Sequence, residues 1–178
     1  MLDLFKTQGA SPPISVPTLT RNYRIREVRF SLVREAGGLY DPRELANAAA
    51  VVEVVRRLGD SLIPEDAREH FVLLMLNTKN GLVAFHRVSI GTLSASLVHP
   101  REVFGPALRT LGVAALVLTH NHPSGDPEPS REDVRLTQQL VESGRLLDVP
   151  VLDHIIIGRF DPTAGTAAWA SFAERGLL

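Results

Sequence analysis

The chain has 178 residues, of which 44% are hydrophobic and 22% charged, a composition that fits a globular domain with a buried core. Its formal net charge is −1, so no overall basic field draws it to nucleic acid, and it contains no cysteine. Disulfides and thiolate metal sites are therefore excluded, and any metal ligand must be His, Asp or Glu. We find no signal peptide and no apolar run of membrane-spanning length, so we expect a cytoplasmic protein that does not contact membranes.

The first part of the chain divides into an arm and a basic segment. Residues 1–20 are predicted to be a flexible N-terminal arm, because proline and glycine interrupt regular structure there. Residues 21–178 are predicted to form one domain, which opens with an arginine-rich strand over residues 22–34. Those arginines have two interpretations, a solvated strand face or a nucleic-acid patch, and the first is favoured.

Helices and strands then alternate along the chain. A helix is predicted from an Asp41 cap, with Pro42 as its first residue, to an exit at Gly59. The predicted strands cover residues 69–77, 82–90, 93–98, 113–119 and 149–157, and the predicted helices cover residues 100–111, which Pro106 should kink or split, and 130–143, which Gly144 closes. Trp169 and Phe172 are predicted to anchor the tail. This alternation predicts an α/β domain with a central mixed sheet.

The most informative motif follows the predicted strand at 113–119. His120 and His122 are separated by one residue, and in extended chain such residues point to the same side. A loop rich in proline and glycine comes next, and Asp133 lies in the first turn of the following predicted helix. Two imidazoles and one carboxylate leave a fourth tetrahedral position for water, which is typical of a catalytic zinc site.

The same residues also have a structural interpretation. Ser130 and Asp133 have the spacing of a helix cap and its partner at the third helical position, and carboxylates are common in first turns. A pair of loop histidines can likewise be solvated without any ligand. The combination of all these residues at this spacing is what favours a metal site.

The run His120-Asn121-His122-Pro123, followed by Ser130 and Asp133, resembles the JAMM signature of JAB/MPN metalloprotease-like domains, and with the intervening loop it resembles the RadC family more closely. Supporting stretches are Gly91-Thr92-Leu93, His99-Pro100-Arg101-Glu102-Val103-Phe104 and Asp153-His154-Ile155-Ile156-Ile157-Gly158. The resemblance extends from about residue 40 to the C-terminus. It implies a JAB/MPN-like, cytidine-deaminase-like α-β-α architecture in which helices flank the sheet. The chain resembles the short form without an N-terminal helix-hairpin-helix region, which weakens a DNA-binding interpretation.

The resemblance also implies roles for individual residues. His120, His122 and Asp133 match the family's zinc ligands, with one Zn²⁺ per chain. Ser130 matches the serine that hydrogen-bonds the developing oxyanion. Glu69, at the start of an apolar strand, fits the place of the family's glutamate, which acts as general base and acid. Alternatives for that role are Glu65, Asp66 and Glu102, and Glu69 also has the plain interpretation of a charge at a strand end.

Three further polar residues are candidates for supporting the ligands. Asp153 and His154 are predicted either to orient a ligating imidazole or to form a buried, mutually satisfied pair. Asn121 is predicted to hold the loop. The remaining histidines are predicted to be structural or solvated; they are His70, His86 and His99.

Together these observations predict a zinc-dependent metallohydrolase that cleaves a peptide or isopeptide bond in a protein substrate. One alternative is a DNA repair accessory or DNA-binding protein, which the arginine-rich strand alone supports. Another is a metal-binding interaction scaffold without catalysis. A zinc deaminase is disfavoured, because cysteine ligands are missing and His-x-His stands in place of His-x-Glu.

Overall fold

A computed structural model describes residues 45–59, 63, 68–91, 98–161, 163 and 166–178. The elements of this described part are α1 (Ala48–Leu58), β1 (Glu69–Leu76), β2 (Leu82–Gly91), α2 (Pro100–Arg109), β3 (Ala115–Asn121), α3 (Arg131–Leu146), β4 (Val151–Asp161) and β5 (Thr166–Ser171). The predicted N-terminal arm, the arginine-rich strand and the Asp41 cap lie outside it. So does the predicted strand at 93–98, apart from Val98.

The described strands form one mixed sheet in the order β2-β1-β3-β4-β5. β1 pairs antiparallel with β2 and with β3, β3 runs parallel to β4, and β4 pairs antiparallel with β5. β1 is the buried strand that its uninterrupted apolar run predicts, since every residue from Phe71 to Leu76 is buried. The predicted α/β class with a central mixed sheet is confirmed, with β1 and β3 side by side in its interior.

Helices cover both faces of this sheet. Successive side chains of β1 point to opposite faces, so Leu73 and Leu74 belong to different cores. Leu73 packs in a cluster with Phe104 of α2 and Leu140 of α3. Leu74 packs in a second cluster with Val51 of α1. The helices α2 and α3 therefore share one face and α1 covers the other, as the α-β-α architecture requires. None of the described helices combines the length and apolar character needed to cross a bilayer.

The helix α1 begins later than the Asp41 cap predicts. Leu45 is not helical, and Asn47 caps α1 by accepting a first-turn backbone N–H at 2.9 Å. The Leu45 N–H instead donates to the Asn80 carbonyl oxygen in the turn between β1 and β2. The predicted exit at Gly59 is confirmed, with φ at +44°.

Two residues that usually interrupt helices lie inside helices here. α2 runs unbroken from Pro100 to Arg109, so Pro106 does not split it, although its ring removes a backbone donor; burial of Val103, Phe104 and Ala107 holds the helix on the core. α3 continues past Gly144, where we predicted its end, to Leu146. A Cβ at Gly144 would lie 2.7 Å from the Val149 carbonyl oxygen, so close packing rather than helix termination requires glycine.

Two strands extend further than predicted. β3 continues to Asn121, so His120 lies within the sheet rather than just beyond it. β4 continues through Gly158, its predicted end, to residue 161, because its second half pairs with β5. The predicted anchors of the tail are confirmed: Phe172 is fully buried, and the partly buried Trp169 packs against the core beneath α1.

Candidate metal centre

The three side chains that the sequence predicts as metal ligands converge at one end of the sheet. His120 is the penultimate residue of β3, and its backbone lies between Phe71 of β1 and Ile156 of β4. His122 follows the strand directly. Asp133 is the third residue of α3, so the first turn of that helix delivers its carboxylate to the two imidazoles.

The distances within this cluster are short. The Nε2 atoms of His120 and His122 are 3.0 Å apart. The Asp133 carboxylate places Oδ1 at 3.4 Å from Nε2 of His120 and Oδ2 at 3.5 Å from Nε2 of His122. One potential ligand atom from each residue lies within 4.8 Å of the other two. His120 and Asp133 are buried, whereas the His122 side chain keeps 15% of its surface exposed, so the cluster opens to solvent on one side.

The proton positions on His122 show why this donor set fits a metal ion. Its Nδ1 lies 2.7 Å from the carbonyl oxygen of Asp126, which can only accept, so Nδ1 carries a proton. A neutral His122 therefore points the lone pair of Nε2 at Nε2 of His120 across 3.0 Å. Two such nitrogens need a proton or a metal cation between them, and the Asp133 carboxylate supplies negative charge beside them. Two nitrogens and one oxygen are ligands that Zn²⁺ accepts.

The pKa values of the three side chains follow from this packing. Burial lowers the pKa of His120 to about 4, against the attraction of Asp133. The hydrogen bond with Asp133 raises the pKa of His122 despite its partial burial. Burial alone would raise the pKa of Asp133, but hydrogen bonds with His122 and Ser130 and the electrostatic interaction with the neighbouring His120 together hold that pKa below its usual range. At neutral pH the cluster thus contains a neutral His120 and an ionised Asp133, the forms that bind metal.

Ser130 and Asp133 form the capping box that the structural interpretation predicts. The Ser130 hydroxyl accepts the Asp133 N–H at 3.1 Å, and the Ser130 N–H donates to Oδ2 of Asp133 at 2.8 Å. The capping interactions orient the carboxylate toward the histidines. The two interpretations of these residues are therefore compatible, since the same carboxylate starts α3 and faces His120 and His122.

The loop between His122 and α3 packs tightly on β4. Gly125 accepts a hydrogen bond from the Arg159 N–H at 2.9 Å and has φ at +85°, a conformation that favours glycine. The neighbouring Gly158 lets the loop approach, because a Cβ there would lie 2.5 Å from the Gly125 carbonyl oxygen. These contacts fix the path of the loop that carries His122 to Asp133.

Replacing Gly158 by alanine is expected to lower the free energy of unfolding by about 1–3 kcal/mol, the usual cost of overpacking. The added methyl group would collide with backbone oxygens of Gly125 and Ala168, at 2.5 and 3.1 Å, which cannot rotate away. Urea denaturation measures the effect. Gly105→Ala in α2 is the control, because its Cβ would meet only the mobile end of Arg109 and alanine favours helix. Wild-type stability in Gly158→Ala would contradict the close packing.

Glu69 begins β1 at the same end of the sheet as the cluster. It precedes Phe71 by two residues, and Phe71 pairs with His120, so Glu69 lies on the face of the sheet that carries His120. The negative charge of Glu69 also contributes to the raised pKa of His122, as a nearby carboxylate must. Glu69 therefore belongs to the surroundings of the cluster.

The side-chain amide of Asn121 holds the start of β1 against β3. Its Oδ1 accepts the His70 N–H at 2.8 Å, and its Nδ2 donates to the Arg68 carbonyl oxygen at 3.0 Å. These two backbone groups lie on either side of Glu69 in the chain. Asn121, which the sequence predicts to hold the loop, is thus placed to fix the backbone of Glu69 instead.

His154 and Asp153 have separate environments. His154 of β4 is fully buried, and its Nε2 lies 2.8 Å from Nδ1 of His120, so it contacts a predicted metal ligand directly. The Asp153 carboxylate accepts hydrogen bonds from the His154 backbone N–H at 2.7 Å, the Ser171 hydroxyl at 2.6 Å and the Ala173 N–H at 3.0 Å. Asp153 therefore connects β4 to the turn after β5.

The other predicted residues lie away from the cluster or outside the described part. His99 caps α2 by accepting the Arg101 N–H at 3.3 Å, a structural role as predicted. Glu102 is exposed in the first turn of α2 and pairs with Arg101 at 3.1 Å. Glu65 and Asp66 lie outside the described residues.

Sequence reasoning missed Thr137, whose hydroxyl oxygen lies 2.6 Å from Nδ1 of His154. Thr137 is fully buried in α3, one helical turn after Asp133, among the apolar residues Leu136 and Leu140. A polar residue within an apolar helical stripe was the available signal, because a buried hydroxyl needs a partner. The contact between Thr137 and His154 of β4 is visible only in the folded protein.

Fold and cluster together define a domain of the JAB type, in which helices flank a mixed sheet and a His-x-His pair meets an aspartate at the end of a central strand. The family model described as RadC-like JAB domain matches residues 45–177, and the chain belongs to this family. The match covers every described element and all three predicted ligands.

Relatives of this chain carry the name UPF0758 protein. The one from Desulforamulus reducens is 50% identical over 123 residues, which are 65% of this chain and 54% of the relative. The one from Syntrophomonas wolfei is 40% identical over 145 residues, 82% of this chain and 58% of the relative. The one from Syntrophotalea carbinolica is 43% identical over 157 residues, which are 77% of this chain and 66% of the relative. The chain spans about half the length of the first two relatives.

Proposed function

We propose that this domain is a zinc-dependent metallohydrolase that cleaves peptide or isopeptide bonds in a protein substrate. The observation that carries the proposal is the cluster itself, in which two imidazole nitrogens lie 3.0 Å apart beside an ionised carboxylate. A closed structural site has four protein ligands, whereas the described cluster offers three. Membership of the JAB family supports the same assignment.

His120, His122 and Asp133 would hold the metal ion. A zinc ion bound by them would polarise the scissile carbonyl group and lower the pKa of a water molecule. Ser130 lies at the N-terminus of α3, where the helix dipole favours negative charge, and its hydroxyl would donate a hydrogen bond to the developing oxyanion. The exposed edge of His122 provides the side from which a substrate reaches the cluster.

Glu69 moves the proton in this mechanism. Its carboxylate accepts a proton from the attacking water as the water oxygen bonds to the carbonyl carbon. When the carbon–nitrogen bond breaks, Glu69 returns that proton to the leaving amine nitrogen and is ionised again. Its place beside His122 supports this role, whereas Glu102 is paired with Arg101 on the surface of α2.

The test of the proposed function is hydrolysis by the protein loaded with one equivalent of zinc. The substrates are a panel of peptides and a panel of peptides joined through a lysine isopeptide bond. We expect release of new amino groups that stops when zinc is chelated and returns when zinc is restored. A protein that binds zinc but cleaves neither panel would contradict a hydrolase and favour the interaction scaffold.

Replacing Asn121 by alanine is expected to lower turnover about 10- to 100-fold, because a misplaced catalytic group costs that much. The variant loses both hydrogen bonds that hold the backbone around Glu69 but keeps all three predicted ligands. Zinc content should therefore stay at the wild-type value. The measurement is kcat together with metal content.

A matched control for this prediction is Asn77→Ala, at the opposite end of β1. The Asn77 amide oxygen also accepts backbone N–H groups, from Lys79 at 2.9 Å and Gly81 at 3.0 Å, but it does so in the turn before β2. We expect a loss of stability there with turnover retained. Equal turnover in the Asn121 and Asn77 variants would contradict a positioning role for Asn121.

A further inference from the structure

A buried chain of polar groups lies behind His120, on the side away from the other ligands. Nδ1 of His120 is 2.8 Å from Nε2 of His154, and Nδ1 of His154 is 2.6 Å from Oγ1 of Thr137. The Thr137 hydroxyl in turn lies 2.6 Å from the backbone carbonyl oxygen of Asp133. All three side chains are completely buried. We call this arrangement the His120–His154–Thr137 chain.

The direction of each hydrogen bond in the chain follows from its last member. A carbonyl oxygen only accepts, so the single hydroxyl proton of Thr137 is donated to Asp133. Thr137 Oγ1 must then accept from His154, which places the proton of a neutral His154 on Nδ1. Nε2 of His154 consequently accepts the Nδ1–H of His120. Nε2 of His120 is left with its lone pair directed at His122.

Aromatic rings hold the two histidines in this arrangement. Phe71 stacks on His120 with ring centroids 6.0 Å apart, and it meets His154 edge-on at 5.5 Å. Phe172 stacks on the other side of His154 at 4.8 Å. His154 is fully buried between these rings, so its only polar contacts are those of the chain.

We propose that Thr137, acting through His154, is a positioning residue that fixes His120 in the Nδ1–H tautomer and so sets the affinity of the metal site. The inference rests on the proposed metal-binding function of His120. Outer hydrogen bonds of this kind fix the ring orientation and proton position of a ligating histidine. Asp133 contacts both ends of the His120–His154–Thr137 chain. Its carboxylate faces His120, and its backbone carbonyl oxygen accepts the hydrogen bond from Thr137.

The test compares Thr137→Val with Thr137→Ser. Valine has nearly the shape of threonine without the hydroxyl, so His154 would lose the acceptor that orders the chain. We expect zinc affinity, measured by competition with a chromogenic chelator, to fall about 10- to 100-fold in Thr137→Val. Serine keeps the hydroxyl and should restore affinity to near the wild-type value. If Thr137 had only a structural role, zinc affinity would not depend on whether residue 137 carries a hydroxyl group.

Thr119→Val is the matched control. Thr119 is a fully buried threonine of β3, and its hydroxyl makes no hydrogen bond to any residue that the structure describes. Removing that hydroxyl should leave zinc affinity unchanged. An equal loss of affinity in Thr119→Val and Thr137→Val would show that threonine removal near the sheet perturbs the site generally, and would overturn the proposal.

A second measurement needs no variant and no metal. Nitrogen-15 NMR of metal-free wild-type protein distinguishes histidine tautomers, and we expect His120 and His154 both to carry the proton on Nδ1. A proton on Nε2 of His120 with Nδ1 bare would overturn the proposed chain whatever the variants do. If this tautomer pattern is found but zinc does not bind, the proposed function is contradicted, whereas the hydrogen bonds of the His120–His154–Thr137 chain are confirmed. The two failures are therefore distinguishable.

Discussion

Replacing either His122 or Asp133 by alanine is expected to abolish stoichiometric zinc binding, which we expect at about one zinc per chain in the wild type. His122 contributes the nitrogen that faces His120 at 3.0 Å, and Asp133 contributes the only carboxylate of the described cluster. With either removed, two ligands remain, fewer than the three that catalytic zinc sites use. Elemental analysis of dialysed protein measures the effect.

Asp133→Ala also affects the start of α3, and a control separates this effect from zinc binding. The variant loses the carboxylate that accepts the Ser130 N–H in the first turn, so we expect it to lose about 0.3–1 kcal/mol of unfolding free energy. Glu132→Ala is the matched control, because Glu132 is an exposed acid in the same first turn of α3. It should keep the full zinc content. If both alanine variants retained zinc, the motif would have only a structural role, in the loop and in the cap of α3.

Replacing Glu69 by glutamine is expected to lower kcat about 10²- to 10⁴-fold while leaving zinc content unchanged. Glutamine preserves the size of the side chain but cannot take a proton from water at neutral pH. Glu69 lies next to the cluster without belonging to its three ligand residues, so the metal should remain. The paired measurement of turnover and zinc content therefore separates proton transfer from metal binding.

The alternative bases provide the controls for this prediction. Glu102→Gln changes a carboxylate that pairs with Arg101 on the surface of α2, and we expect it to keep wild-type turnover. The variants Glu65→Gln and Asp66→Asn test the remaining two acids in the same assay. Retained turnover in Glu69→Gln would exclude Glu69 as the base, and a loss confined to one of the other three would identify its replacement.

Much of the fold was predictable because local patterns determine it. The apolar run of β1 was read correctly as a buried strand, since burial acts over a few residues. Errors occurred where distant contacts decide. The Leu45 N–H donates to Asn80, and Leu45 is not part of α1. Gly144 is a packing position within α3, where a Cβ would meet Phe104 of α2 at 3.4 Å.

The clustering of the three predicted ligands was equally predictable, and His154 was among the predicted supporting residues, whereas the partners of Asn121 and Thr137 were not predictable. His120, His122 and Asp133 lie within one short stretch, so their combination at this spacing favours a shared site. Asn121 meets the start of β1 only through the pairing of β1 with β3, and Thr137 meets His154 only through the packing of α3 on β4. Such contacts depend on strand register and helix placement, which no local pattern specifies.

The positions of β1 and α3 along the chain give the two halves of the candidate site different costs in chain entropy. His122 and Asp133 are 11 residues apart (133 − 122), whereas Asn121 and His70, which bring Glu69 into place, are 51 apart. By the scaling of loop-closure entropy with length, the longer closure costs about 1.4 kcal/mol more. The predicted ligands His122 and Asp133 therefore come together over the short closure between β3 and α3. The predicted base depends on the longer closure that pairs β1 with β3.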